Sequence, residues 1–312
     1  MILLLHGAVI IFGCRNVFLK STPAQKMSIL SVCAEVQIRC LHLCQDKDAV
    51  AYFLCNSVCY ALRSRYTVKR FIYFEDLAKF TSFRIKGVVI INPQQLTAIH
   101  EHRSIEQLWI PLTFEGKICD PLPSHIVRFL FNAGNNQLVL KGLLPQSLIF
   151  LEFGCSFNQA LSVGILPEHL STLDLGSVFD QPIEKGVLPQ SLTRLSFGWR
   201  FNQPIELGVL PSQLRFLSFS GDFDQEILVG ALPSSITCLR FGFNFNHPIL
   251  PHALPSSLRD LTFGYMFNKS LASLPPVEKL TLGKSFAQGL PNDVLSRIGC
   301  LWFAKKLLYS KR

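Results

Sequence analysis

Six amide or acid side chains recur every 22 residues in the second half of the chain: Asn158, Asp180, Asn202, Asp224, Asn246 and Asn268. Oxygen donors at a fixed spacing could serve a metal site or acid–base chemistry. They also suit a buried turn, because an amide in each turn can satisfy backbone groups of its neighbours. The second reading is adopted, since a phenylalanine precedes every one of them and forms a column of its own, a core spine. On this reading Asp180 and Asp224, which only accept hydrogen bonds when ionised, make the weaker turns. The eight histidines, among them His100-x-His102, lack the His-Glu-x-x-His spacing of a zinc protease. The chain also has no Gly-Lys-Ser/Thr phosphate loop. Neither a catalytic residue, a cofactor nor a metal is expected, and the chain does not read as an enzyme.

Thiols form a second constellation. Cys40-x3-Cys44 and Cys55-x3-Cys59 place sulfurs one helical turn apart on two successive segments. That spacing suits a four-thiolate zinc site, or thiols packed between helices. Ten cysteines at irregular spacing suit a reducing compartment, so the expected location is cytoplasmic.

The elements that carry these residues are repeats. Leu-Pro recurs at 122, 144, 166, 188, 210, 232 and 254, a strict period of 22, and then at 274 after a step of 20. Leu151, Leu173, Leu195, Leu217, Leu239 and Leu261 keep the same register, and a weaker unit (Ile105, Leu108, Ile110, Phe114, Ile118) precedes them. Within a unit, Leu-x-Phe-Gly alternates inward and outward as a short strand does. One unit cannot bury its own leucines and phenylalanines, so neighbours must stack and merge them into one core. The fold expected is a repeat solenoid over residues 101–290. It is a leucine-rich-repeat-like parallel β stack of about eight 22-residue units, preceded by a small α-helical domain.

Charge argues against nucleic acid as the partner. The net charge of +9 is uneven: residues 1–121 hold 14 Lys/Arg against 9 Asp/Glu, and residues 122–296 hold 11 against 12. The repeat array is therefore neutral and lacks the clustered cations that track phosphates.

Phe201-Asn202-Gln203-Pro204-Ile205, with its relatives from Phe179 and Phe245, resembles the FNIP repeat, a relative of the leucine-rich repeat found in social amoebae and giant viruses. If the chain is viral, its cytoplasm is that of the host. The ordinary leucine-rich unit sets Asn nine residues after its first Leu. Here Phe takes the tenth position and Asn or Asp the eleventh, so the commoner turn is not carried over.

The N-terminal part divides by composition. Residues 1–26 form an apolar leader or an over-long start ahead of Met27; their apolar stretch, Met1–Phe12, is interrupted by His6 and far short of the about 20 residues a membrane span needs. Residues 27–75 carry apolar side chains at helical spacing with a break at Asp46-Lys47-Asp48. They resemble an F-box, which implies docking on the adaptor of a cullin-type ubiquitin ligase through Asp48, Val58, Cys59, Tyr60 and Arg63. The segment departs from that pattern. It has no opening Leu-Pro, a longer interval between Asp48 and Val58, and Ala61 and Leu62 where an aromatic residue stands. Residues 76–100 read as a linker, and 291–312 as a helical cap with a basic tail that covers the open end of the stack.

Fixed columns build the stack, so binding information must sit where the repeats differ. The candidate partner-binding residues are Arg194, Ser196, Phe216, Arg240 and Asp260 on the strands, with Trp199, Arg200, Phe243 and Tyr265 just after the glycine. Trp, Tyr and Arg dominate interface energetics, although the rings could simply fold back over the glycines. The function expected is protein–protein interaction, as substrate receptor of a ubiquitin ligase. The alternative is a binding scaffold with no ligase role, whose N-terminal helices form a Cys-x3-Cys helical or zinc-binding module.

Overall fold

The computed structural model describes residues 2–5, 8–12, 17–20, 67–68, 72–74, 77, 84–111, 114, 116–131, 136–303 and 306–310. The chain divides into two compact units, Met1–Val89 and Ile90–Arg312.

In the first unit, β1 (Ile2–Leu5), β2 (Ala8–Phe12) and β3 (Val17–Lys20) make an antiparallel three-stranded sheet. β4 (Thr67–Val68) pairs in parallel with β6 (Arg84–Ile85), and β5 (Ile72–Tyr73) with β7 (Gly87–Val89). The F-box-like positions Asp48, Val58, Cys59, Tyr60 and Arg63, and both Cys-x3-Cys pairs, lie outside the described residues. The stretch read as a linker carries regular structure in each unit. The β-branched run after Gly87 supplies β7. Asn92-Pro93 then starts α1 (Pro93–Ala98), where the Asn92 side chain accepts from the Gln95 backbone N–H at 3.0 Å.

The second unit is the solenoid. Its strands are β8 (Gln107–Ile110), β9 (Arg128–Phe131), β10 (Phe150–Phe153), β11 (Thr172–Asp174), β12 (Arg194–Ser196), β13 (Phe216–Ser218), β14 (Cys238–Arg240), β15 (Asp260–Thr262), β16 (Val277–Leu282) and β17 (Ile298–Phe303). All ten pair in parallel with their neighbours in sequence order, about two turns more than the Leu-Pro count suggests. From β9 to β15 the register is uniform, each residue facing the one 22 positions on, as Arg194↔Phe216 and Phe216↔Cys238 show.

Burial alternates along β8 to β15. Leu195 is fully buried between exposed Arg194 and half-buried Ser196, and Phe197 follows at 1% exposure. Ser196 is thus more covered than the alternation predicts. Behind the sheet the Phe157-to-Phe267 column stacks ring on ring at 6.0–6.2 Å. Parallel strands sit only about 4.8 Å apart, so the turns fan outward and the sheet forms the inner, concave side. Except for Phe179, whose turn has Leu175 at that position, each spine ring also packs face to face on the strand phenylalanine of its own turn, as Phe201 does on Phe197 at 3.9 Å.

Two details explain the rest of the unit. A Cβ on Gly198 would sit 1.5 Å from the Gly176 carbonyl oxygen, so consecutive backbones touch there and only glycine fits. The Leu-Pro step is a turn in which the Leu192 N–H donates to the Pro189 carbonyl at 3.1 Å. Ser191, one residue before that leucine, donates its hydroxyl to the Leu170 carbonyl of the previous turn at 2.7 Å.

The C-terminal end corrects the expected helical cap. α2 covers only Asn292–Leu295. Ile298 and Leu301 then fill the inward positions of β17, and β18 (Lys306–Ser310) folds back antiparallel onto it. Gly299 disfavours a longer helix, while the open edge of β16 offers a full row of backbone partners.

Candidate functional site

The outward residues of neighbouring strands form two columns across the concave sheet. In the first, Arg194, Phe216, Cys238, Asp260 and Lys279 follow one another on β12 to β16; in the second, Ser196, Ser218, Arg240 and Thr262 do so on β12 to β15. The Arg194 guanidinium carbon lies 4.1 Å from the Phe216 ring centre, and that of Arg240 lies 5.4 Å from it. Arg128 covers Phe150 in the same way at 3.7 Å. Asp260 is held by the Lys279 ammonium at 3.5 Å. Burial pushes the Cys238 thiol above its ordinary range, and the Asp260 carboxylate pushes it further, against Arg240 and Arg194. That thiol is held protonated and is a poor nucleophile.

Two carboxyls stand side by side toward the front of the array, Glu152 on β10 opposite Asp174 on β11. Burial raises Glu152 first and the Asp174 carboxylate second, with Arg128 opposing. Burial also raises Asp174, against a 3.0 Å hydrogen bond that its carboxylate accepts from the Gly176 N–H.

Trp199, Phe243 and Tyr265 sit beyond the ends of the strands, not on the sheet. They are 55%, 43% and 42% exposed, which is high for rings of this size. Phe243 and Tyr265 stack at 4.9 Å with planes 6° apart. Trp199 reaches Phe243 at 6.5 Å although two turns separate them. It can do so because the intervening turn has Gly221 in this column: a Cβ there would lie 2.4 Å from the indole. The tryptophan does fold over a glycine, as the alternative reading had it, yet more than half of it faces solvent.

The candidates therefore occupy two surfaces. Arg194, Ser196, Phe216, Arg240 and Asp260 share the sheet, and Trp199, Phe243 and Tyr265 share the ledge. Arg200 turns instead into an open groove of about 850 Å³ that it lines with Asp180, Asp222 and Asp224. Arg200 and Arg240 therefore lie apart, because Arg240 belongs to a strand and Arg200 to a turn.

The Asn/Asp column is a ladder of acceptors. Asp180 Oδ1 takes the Asn202 N–H, Asn202 Oδ1 takes that of Asp224, and Asp224 Oδ1 takes that of Asn246, each at 2.9 Å. Only the acceptor oxygen is used, so Asp180 and Asp224 serve as well as Asn, and the expectation of weaker turns there is corrected. A glutamine column, missed in the sequence, completes the device. Gln181, Gln203 and Gln225 each donate to the same oxygen of the preceding turn at 2.9–3.1 Å. Its signal was the Gln that directly follows Asn or Asp. His247 replaces it once, with Nε2 at 3.0 Å from the Asp224 carbonyl.

Among the described residues no group of three or more His, Cys, Asp or Glu side chains is placed to hold a metal ion. None of their helices is long and apolar enough to cross a membrane.

Comparison with known proteins agrees with this geometry. Residues 135–178, 179–222 and 223–266 match the FNIP Repeat family, three consecutive blocks of two turns each. The centre of the array is thus similar to FNIP repeats, and its strands form a parallel β solenoid. Of solved structures, CroV588, described as a novel circular LRR protein, is 28% identical with a TM-score of 0.45. That match covers 64% of this chain and 40% of the other, so the chain spans less than half of that protein's length. No protein of curated function matches.

Proposed function

We propose that the array is a protein-binding scaffold whose target lies on the concave sheet and the adjoining ledge. The carrying observation is the split between fixed and variable columns. Leucine, phenylalanine, asparagine and glycine are consumed in holding turn to turn. The outward residues that differ between turns are exposed Arg194, Arg240, Trp199, Phe243 and Tyr265 and half-buried Phe216, types that dominate interfaces. Large exposed rings grouped on one ledge favour a partner over open water.

The test begins with a partner found by proximity labelling of the full chain. Its affinity is then compared for Phe216→Ala plus Arg240→Ala, Trp199→Ala plus Tyr265→Ala, and a control away from both surfaces, Glu184→Ala plus Glu206→Ala. Weaker binding by either of the first two pairs, with the control unchanged, supports the reading. Equal binding by all three pairs removes it.

Within this reading the scaffold serves as the substrate receptor of a cullin-type ubiquitin ligase in the cytoplasm. The support is the F-box resemblance of residues 27–75, with Asp48, Val58, Cys59, Tyr60 and Arg63 facing the adaptor. Adaptor and cullin should co-purify with the full chain and be lost when 27–75 is deleted. Ligase association that survives the deletion refutes the role and leaves the scaffold alone.

A further inference from the structure

Arg194 and Arg240 stand on strands two apart and lean on one ring, Phe216, which lies on the strand between them. Both are exposed. Among the described residues neither forms an ion pair, because the nearby carboxylates are engaged elsewhere: Asp260 by Lys279, and Asp174 by the Gly176 N–H. Both guanidinium groups also act on the Cys238 thiol beside Phe216, so their charges converge on one small area of the sheet. Ser196 and Ser218 flank that area with half-buried hydroxyls.

Two arginines held against a ring are oriented before anything binds, so less rotamer freedom remains to be lost. Each guanidinium presents five donors in a fixed fork, and the two hydroxyls add more. A carboxylate has two oxygens and one charge, too few to use this set. A phosphate monoester carries about two charges and three terminal oxygens, which match two guanidinium groups. Asp174 lies next to Ser196 across the sheet and repels an anion there, which directs the anion toward Ser218 and Arg240. A nucleic acid would need a continuous positive track, and residues 122–296 hold 11 Lys/Arg against 12 Asp/Glu.

Resting on the concave sheet as the protein-binding surface, we propose that Arg194, Phe216 and Arg240, with Ser218, form a receptor for a phosphoserine or phosphothreonine of the bound protein. The phosphate sits between the two guanidinium groups, and Phe216 fixes their positions.

The test uses the full chain and degenerate nine-residue peptide libraries with a central phosphoserine, phosphothreonine, serine or glutamate, read by fluorescence polarisation. The phosphorylated libraries should bind about tenfold or more tightly than the serine library, the scale of charge-assisted hydrogen bonds. Arg194→Gln and Arg240→Gln should each remove most of that preference with the melting temperature unchanged, and Arg240→Lys should keep part of it. Libraries that bind alike overturn the proposal. So does a phosphate preference that persists in both Gln variants, or a single-stranded RNA that competes as well as the phosphopeptides. The labelled partner separates this failure from a failure of the surface. If the Gln variants lose the partner but phosphatase treatment does not, the surface stands and the phosphate receptor falls. If they keep it at full affinity, the arginines are no part of the interface.

Discussion

Replacing Asp180 tests the acceptor ladder most directly. Its Oδ1 accepts two hydrogen bonds, from the Asn202 backbone N–H and from Gln203 Nε2, both at 2.9 Å. Asp180→Ala removes that acceptor, leaves the part-buried Asn202 N–H without a partner, and leaves the Gln203 amide only its longer bond to the Asp180 backbone carbonyl at 3.4 Å. A lost buried partner costs about 1–3 kcal/mol, and half-burial of Asn202 places the loss near the middle, at about 2 kcal/mol. Asp180→Asn keeps the oxygen. It gives up the charge assistance but also removes one of three carboxylates in the groove shared with Asp222 and Asp224. The two effects oppose each other, so the Asn variant should stay within about 1 kcal/mol of the parent. In an array of this size, about 2–4 °C of melting temperature follows each kcal/mol, so Ala should lower the melting point by about 4–8 °C and Asn by little. Hydrogen exchange adds a local readout, because the Asn202 amide should lose protection in the Ala variant alone. Equal melting points for the two variants, or an Asn202 amide indifferent to both, would refute the ladder.

Two further predictions follow from the core and the sheet. Phe201→Ala deletes a ring that is 1% exposed and packed on Phe197, Phe179 and Phe223, and should cost about 3–5 kcal/mol in a urea denaturation series; a loss below about 1 kcal/mol contradicts the spine. Glu152→Gln should raise the melting temperature at pH 7, and the gain should vanish on acidification to about pH 4, near the unfolded value. The sign follows from the raised pKa: the fold penalises the ionised form above that pKa, and the penalty is gone once folded and unfolded chains are both protonated. A gain that is the same at both pH values would mean that charge is not its cause.

What the sequence disclosed depended on whether a residue's role repeats. Leu195 and Phe201 were legible because packing asks the same of every turn, and a period of 22 is what identical demands look like in a sequence. The acceptor role of Asp180 was only half legible: its column showed, but which atom works depends on the neighbouring turn's N–H. The C-terminal hairpin was not legible. Val294, Leu295 and Ile298 fit a helical stripe as well as a strand, and short apolar runs do not distinguish the two. The unpaired edge of β16 decides the matter, and that edge exists only once the stack has formed. The split of Arg200 from Arg240 was hidden for a related reason. Both lie close to a repeat glycine, but one comes before the alternation stops and the other after it.

The same register that hides these relations also sets where specificity can arise. Residues 22 apart become cross-strand neighbours, so Arg194 and Phe216 meet on the sheet, and residues 44 apart meet wherever the turn between them yields. Gly221 yields, and Trp199 reaches Phe243; Arg194 and Arg240, which belong to different columns, share the Phe216 ring on the strand between them. The last turns break the period: Asp260 pairs with Lys279, only 19 positions on, which sets an acid beside an ammonium and neutralises both. Each feature comes from one residue that departs from its column while the columns behind it stay intact. Stability and recognition therefore rest on different residues of the same strand, and the outward columns can change without disturbing the leucines and phenylalanines that hold the turns together.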